Sequence, residues 1–328
     1  PGQAHSGRAS LGLSAGSRAM RLGFSVRILG APDLPACDPR PGVGQVSTSL
    51  AYLRDILLYL QANRIHFYRM HSELIPAPQA TDAVALAAEL DRARPLAESV
   101  TQLAHVAGVR LTLHPYTAVV LNAPQDDLYT LSLMRLAAHV GWLDGLGLGP
   151  EAVVVLHVGG TYDAPEASLE QFIRRYEALS PAVRRRVALE NDDRRYSWAD
   201  VWRVHERTGV PLVLDVLHHL VHNPKRIPLR QALAAALGTW PAGVTPKVHF
   251  STPRTDVRTL EESGRLKVPT WTEHADFCNP FDFFAFLAQL DGLPDTDIML
   301  EAKARDVALL QLRQDVARFA PEWLTRID

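Results

Sequence analysis

The sequence predicts an α/β protein built as a single (β/α)8 barrel of the TIM type. Eight short apolar runs alternate with longer amphipathic runs along its 328 residues. The apolar runs lack the alternation of a half-exposed sheet, which indicates parallel strands that are buried on both faces. Eight such repeats favour closure into a barrel over an open sheet. No G-x-G-x-x-G follows the first strand, so no nucleotide cofactor is expected.

The predicted elements alternate strictly. Strands are predicted at 21–25, 66–70, 109–113, 152–157, 187–190, 211–215, 246–250 and 297–301. Helices are predicted near 49–63, 82–107, 125–142, 168–178, 198–208, 228–237, 280–290 and 303–318. Asp82 and Ser168 are expected as N-caps, and Pro95 as a break within 82–107. The glycines expected just after helices are Gly108, Gly209 and Gly238.

The composition is that of a globular protein in water, with 47% hydrophobic and 21% charged residues. A formal net charge of −2 argues against nucleic-acid binding over the whole surface, but a local basic cleft is compatible with it. Cys37 and Cys278 are too few and too far apart for a disulfide framework, and they favour a reduced, cytoplasmic compartment. No apolar run reaches the roughly 20 residues of a membrane span, so no membrane partner is expected.

The first residues, 1–19, are rich in Gly, Ser and Ala and lack periodicity. Their apolar content is too broken for a signal peptide, and Met20 follows directly. We therefore interpret 1–19 as a flexible tail and assign the barrel domain to 20–328.

Histidines and carboxylates recur where the predicted strands end. In such a barrel the active site forms at the carboxyl ends of the strands, so these residues converge although they are far apart in sequence. The set comprises His114, His157, Glu190, Asp215, His218, His249 and Glu301, with His274 in the long loop after the seventh strand. A single strand-end histidine is more often structural than a ligand, so the joint pattern carries the weight.

Imidazoles mixed with carboxylates, without thiolates, suit Zn²⁺, Mn²⁺ or Fe²⁺. The candidate ligands outnumber those that one ion needs, so two or three ions are expected. Lys247 lies on the same side of its strand as His249, where divalent cations would repel an unpaired ammonium. We expect Lys247 to be neutral, paired with a carboxylate, or chemically modified.

Basic residues concentrate in the loops that follow predicted strands, on the same face as these ligands. Candidates for phosphate contacts are Arg194, Arg195, Lys225, Arg226, Arg254, Arg258, Arg265 and Lys267. Asn191, beside Glu190, is a candidate either to hydrogen-bond a substrate phosphate or to brace its loop. Any one basic pair is usually solvated surface, but together they favour a DNA backbone as partner.

The chain resembles the UV damage endonuclease family in segments that keep the family's order from about Arg21 to Leu310. They are YRMHSELIP (68–76), VVLHVGGTY (154–162), VALEND (187–192), VLDVLHH (213–219), PKVHFST (246–252), TEHADF (272–277) and MLEAKARDVALL (299–310). The Leu-Glu-Asn-Asp and Asp-x-x-His-His pieces are fairly specific together, although neither is specific alone.

The resemblance implies a TIM barrel related to endonuclease IV and metal-dependent incision of double-stranded DNA just 5′ of pyrimidine dimers and 6-4 photoproducts. It implies up to three ions, usually manganese, at the eight ligand positions named above, and a carboxylated Lys247. Two positions depart from the family pattern. Tyr116 and Thr117 follow the His-Pro pair where members commonly have Gly-Gln and an aromatic residue, and Phe24 replaces a frequent Tyr. Tyr116 is the candidate wedge into the duplex.

Glu190, Asp215, Lys247 and Glu301 are therefore predicted as the catalytic groups of a monomeric, divalent-metal-dependent endodeoxyribonuclease. Three alternatives stay open. The first is an abasic-site endonuclease of the endonuclease IV type. The second is a metal-dependent sugar isomerase on a related barrel, which would need a small closed pocket and no basic rim. The third is a barrel that binds metal or DNA without catalysis.

Overall fold

The structure is a computed structural model that describes residues 20–37, 44–115, 119–259 and 264–328. The predicted tail, 1–19, lies outside these residues, and so do Tyr116 and Thr117. Among the described residues, no helix is both long and apolar enough to cross a membrane.

Eight parallel strands form the barrel, as predicted. They are β1 (Leu22–Ser25), β2 (Phe67–Met70), β3 (Arg110–Leu113), β4 (Val154–His157), β5 (Val187–Glu190), β6 (Leu212–Val213), β7 (Lys247–Phe250) and β10 (Asp297–Leu300). Their order is β6-β5-β4-β3-β2-β1-β10-β7. The ring closes between β6 and β7, where Asp215 bridges His249 and the His249 N–H donates to the Leu214 carbonyl at 3.0 Å. The loop after β7 carries an unpredicted antiparallel hairpin of β8 (Arg258–Thr259) and β9 (Leu266–Lys267).

Helices pack around the strands and supply the outer layer. Those described are α1 (Val46–Ala62), α2 (Ala83–Arg92), α3 (Arg94–Val106), α4 (Asp126–Gly145), α5 (Pro165–Glu177), α6 (Pro181–Arg184), α7 (Trp198–Thr208), α8 (Val216–Val221), α9 (Leu229–Gly238), α10 (Pro280–Gln289) and α11 (Arg305–Phe319). The spacing of apolar residues explains their orientation. In α1, Leu50, Leu53 and Leu57 are fully buried at i, i+3 and i+7, the positions of one helix face.

The boundary signals were partly right. The Asp82 side chain accepts from the Val84 and Ala85 N–H groups and caps α2, and Pro95 lies in the first turn of α3, directly after the break. Ser168 is not an N-cap, because Pro165 begins α5 three residues earlier and the Ser168 hydroxyl donates to the Thr161 carbonyl.

Glycines mark helix ends only where the backbone turns left-handed. Gly209 has a φ of 71° and ends α7, and Gly108 has a φ of 64° just beyond α3. Gly238 was expected beyond a helix, but it is the last residue of α9 and has no positive φ.

A buried ionic network closes the amino end of the barrel. Asp297 accepts from Arg21 Nε at 2.9 Å and from Arg110 Nη1 at 2.7 Å, and Arg21 also pairs with Glu151 at 2.6 Å. Arg110 lies over the Phe67 ring at 5.3 Å. Arg21, Arg110 and Asp297 are almost inaccessible to water, so each depends on the others for solvation.

Candidate metal centre

Alternate residues of each strand face the barrel interior, and this period brings the strand-end ligands together. On β3, Arg110 at the amino end and His114 at the carboxyl end are four residues apart, so both face the interior. The same holds for Asp297 and Glu301 on β10. The structure places all eight predicted metal ligands in one connected cluster at this end: His114, His157, Glu190, Asp215, His218, His249, His274 and Glu301.

Glu190 lies at the centre of this cluster and is only 1% exposed. Its Oε2 lies 2.9 Å from His114 Nε2 and 3.6 Å from His157 Nε2. Its Oε1 lies 2.7 Å from His249 Nδ1. The ligand atoms of His114, His157 and Glu190 all lie within 4.8 Å of one another, a spacing that one ion could span.

A second group shares Glu190 and adds Asp215, His249 and Glu301, again with ligand atoms within 4.8 Å of one another. Glu301 Oε1 lies 3.4 Å from His249 Nδ1, and Glu301 Oε2 lies 3.8 Å from His274 Nε2. Three buried atoms of this group, Glu190 Oε2, Asp215 Oδ2 and His249 Nε2, have no hydrogen-bond partner among the described residues. Buried polar atoms without partners are costly, and bound divalent cations would relieve that cost.

Hydrogen bonds orient the ligands from behind. His218 Nδ1 bonds the Asn191 carbonyl at 3.0 Å, which leaves Nε2 free for a metal, and His274 Nδ1 bonds the Ser251 hydroxyl at 2.6 Å. The Asn191 amide is fully buried. Its Oδ1 accepts from the Asp215 N–H at 2.9 Å, and its Nδ2 donates to the Asp215 carbonyl at 3.2 Å. Of the two roles open for Asn191, these contacts fit the bracing of the loop.

Burial and crowding of carboxylates set the protonation of the cluster. Burial lowers the pKa of His114 to about 3 and that of His274 to about 4, so both are neutral imidazoles suited to metal binding. Burial also raises the pKa of Asp215 to about 8, and the charges of Glu301 and Glu190 add to this. Burial opposes a charge on His218, but the facing carboxylates outweigh it and raise its pKa to about 9.

Metal binding is therefore expected to release protons. At pH 7 the coupled Asp215–His218 pair holds protons that both ligands must lose before they bind a cation. The affinity for Mn²⁺ should rise with pH from about 7 to 9 and level off above that range. Calorimetry in buffers of different ionisation enthalpy measures the protons released, and the Asp215→Asn variant should release fewer. An affinity and a proton count independent of pH would contradict this assignment.

Lys247 enters the barrel one layer below His249 and is 0% exposed. Its Nζ lies 5.3 Å from the centre of the Phe67 ring and has no hydrogen-bond partner in the described part of the chain. Burial, reinforced by the charges of Arg110 and Arg69, holds the pKa of Lys247 well below its usual range. No carboxylate pairs directly with it among the described residues, so a neutral or modified amine fits its surroundings.

Arg69 is a site residue that the sequence analysis missed. It lies on β2, and its Nη1 pairs with Glu301 Oε1 inside the barrel mouth. Burial works to raise the pKa of Glu301, but the Arg69 charge holds it well below its usual range. The signal was an arginine within the apolar run HFYRM, at a position with the parity of an interior residue.

The predicted phosphate-binding residues fall into two groups. Arg194, Arg195, Lys225 and Arg226 are exposed in loops at the carboxyl ends of β5 and β6, although Arg194 Nε lies 3.2 Å from Asp193 Oδ2. Arg254 is only 3% exposed, and its Nη2 lies 2.5 Å from Asp276 Oδ1, so its charge is already compensated. The cations of the hairpin are also paired, since Arg258 meets Asp276 at 3.3 Å and Lys267 meets Glu273 at 2.6 Å.

Comparison with known proteins shows which family the chain belongs to. A family model described as UV-endonuclease UvdE matches residues 44–322. A UV DNA damage endonuclease of Halalkalibacterium halodurans is 32% identical over 276 residues, which cover 83% of this chain and 81% of the relative. The crystal structure of SacUVDE superimposes with a TM-score of 0.76 at 26% identity and covers 91% of this chain and 98% of its own.

Endonuclease IV from Thermus thermophilus aligns with a TM-score of 0.53 at 15% identity, over 93% of this chain and 99% of its own, which is a likeness of fold alone. The barrel predicted from the sequence and its resemblance to the UV damage endonucleases are both confirmed. The chain belongs to the UV-endonuclease UvdE family.

Proposed function

We propose that this protein is a divalent-metal-dependent endodeoxyribonuclease that nicks double-stranded DNA immediately 5′ of cyclobutane pyrimidine dimers and 6-4 photoproducts. The observation that carries the proposal is the cluster of eight histidines and carboxylates at the carboxyl ends of the strands. The family match and relatives named UV DNA damage endonuclease support the choice of DNA damage as substrate.

The donor set fits two or three divalent ions, and we propose Mn²⁺. His114, His157 and Glu190 would hold one ion, and Glu190, Asp215, His249 and Glu301 would hold a second, with His218 and His274 as further ligands. When bound, such ions polarise a phosphate and lower the pKa of a coordinated water. A carboxylated Lys247 would add a carbamate anion to this set.

The protein's own residues prepare the centre for a phosphate. Arg69 holds one oxygen of Glu301, which fixes the orientation of that carboxylate. The buried, neutral imidazoles of His114 and His274 add ligands without adding positive charge. Glu190, and Asp215 once it has lost its proton, would compensate the charge of the cations in a region that water hardly reaches. The four exposed basic residues after β5 and β6 would bind the DNA backbone on the same face.

Three labelled duplexes test the proposal: one with a single pyrimidine dimer, one with an abasic site, and one undamaged. With Mn²⁺ the protein should cut only the damaged strand, directly 5′ of the dimer, and leave a 3′ hydroxyl. Removal of divalent ions by a chelator should abolish cutting, and Mn²⁺ should restore it. Cutting at the abasic site alone would favour the endonuclease IV type of activity. An absence of cutting with any divalent ion would contradict the nuclease assignment.

A further inference from the structure

Three cations at the barrel mouth have no acidic partner within the described chain, unlike those of the β7 loop. Arg27 follows β1, whereas Lys303 and Arg305 follow β10. Across the described parts of the chain, no carboxylate oxygen lies within 4.0 Å of their charged nitrogens. We call Arg27, Lys303 and Arg305 the rim cations.

The rim cations occupy one sector of the mouth beside the metal centre. β1 and β10 are neighbours in the barrel, and Arg305 Nη1 donates to the Ser25 hydroxyl at the end of β1, at 2.6 Å. Lys303 is only two residues beyond Glu301, a predicted metal ligand. Arg27 and Lys303 are exposed and Arg305 is half-buried, so a ligand can reach all three.

Strained backbone places two of them. Val26 has a φ of 71°, unfavourable for a β-branched residue, and the Arg27 N–H donates to the Ser25 carbonyl at 3.0 Å across a tight three-residue turn. The Tyr68 hydroxyl fixes this turn through the Val26 carbonyl at 2.5 Å. Arg305 also has a left-handed φ, of 54°. Strain of this kind persists where the surrounding structure enforces it, typically at functional sites.

A cavity of about 630 Å³ adjoins Arg27, and the charged side chains among its described lining residues are Arg27 and Glu73. His71 and Glu73 line it with Cys37, and the three could be taken for a metal site. The His71 Nδ1, however, accepts from the Glu73 N–H at 3.1 Å, so its proton lies on Nε2, which is then a donor and not a ligand. Of the rim cations, Arg27 is the one among the described residues that line this cavity, so the three rim cations meet on the rim of the mouth and not inside the cavity.

We propose that the rim cations bind a backbone phosphate of the DNA, next along the strand from the phosphate at the metal centre. The proposal rests on the proposed function. Because Lys303 is close to Glu301, the phosphate that it binds should be next to the phosphate at the metal centre. The rim cations are spread over the surface of the mouth, which suits a DNA strand that carries one negative charge per nucleotide. The rim cations would enter the complex without breaking an ion pair among the described residues.

The test compares the Arg27→Gln/Lys303→Gln variant with an Arg184→Gln/Arg185→Gln variant. The control loses the same charge from the end of α6, just before β5 begins and therefore at the amino end of the barrel. KM and kcat for nicking of the dimer duplex are measured with Mn²⁺ between 50 and 200 mM salt. We expect the rim variant to raise KM roughly fivefold to tenfold at about 0.1 M salt, to lower the salt slope by about one, and to leave kcat within twofold. The control should match the wild type.

A second arm locates the contact. A neutral methylphosphonate replaces one phosphate at a time around the dimer, and one position should raise KM for the wild type but not for the rim variant. An unchanged KM and salt slope in the rim variant, or equal effects in the control, would overturn the inference while the nuclease assignment stands. If the wild type cuts none of the duplexes, the proposed function fails and this inference fails with it. Thermal unfolding confirms that each variant folds.

Discussion

Replacement of Glu190 by Gln is expected to lower nicking of a dimer-containing duplex by more than a hundredfold. Glu190 contacts His114, His157 and His249, and it is the residue that both ligand groups of the candidate metal centre share. The amide keeps the size of the side chain but removes the negative charge that holds cations in a buried region. Nicking rates are measured under single-turnover conditions at saturating Mn²⁺, with the metal content of each protein determined in parallel.

The control for this variant is Glu166→Gln, which removes an exposed carboxylate that pairs with Arg203 and belongs to neither ligand group. This control should nick at the rate of the wild type, because exposed ion pairs contribute little. Retention of nicking and of metal content within a few-fold in Glu190→Gln would exclude Glu190 from the centre.

Replacement of Asp297 by Ala is expected to destabilise the barrel by about 3–5 kcal/mol. The substitution leaves the buried Arg110 without its carboxylate partner and leaves Arg21 with Glu151 alone, at the amino end of the strands. The free energy of unfolding in urea measures the loss. Asp55→Ala, which breaks the exposed pair with Arg54, should cost no more than about 1 kcal/mol. Equal small losses in both variants would show that the network does not hold the barrel together.

The sequence predicted the barrel and its eight ligands because both depend on simple periods. Apolar strands and amphipathic helices follow local patterns, and a ligand at the last position of a strand such as β4 or β5 must face the common mouth. The observed helix bounds differ from the predicted ones by a few residues where two residues could each have begun the helix. At α5, Pro165 begins the helix because its missing N–H costs nothing there, so Ser168 became an interior residue.

Other features could not be read from local patterns. The pairing of Arg69 with Glu301 joins residues 232 apart, and it depends on β1 pairing with both β2 and β10 in the folded sheet. The sequence also could not show which basic side chains pair with a carboxylate and which do not. Arg254 and Arg27 are both basic loop residues, but Arg254 is neutralised by Asp276, which comes from a turn 22 residues away. Strain at Val26 and Arg305 is likewise a property of the folded loops.

Anomalous diffraction from crystals of the protein grown with Mn²⁺ would test the central claim most directly. We expect at least two manganese peaks, one bounded by His114, His157 and Glu190 and one bounded by Glu190, Asp215, His249 and Glu301. Data from crystals of Glu190→Gln should show both peaks weakened or lost. A protein that nicks the dimer duplex but carries no manganese at these residues, or carries it elsewhere, would contradict the assignment of the strand-end cluster as the metal centre.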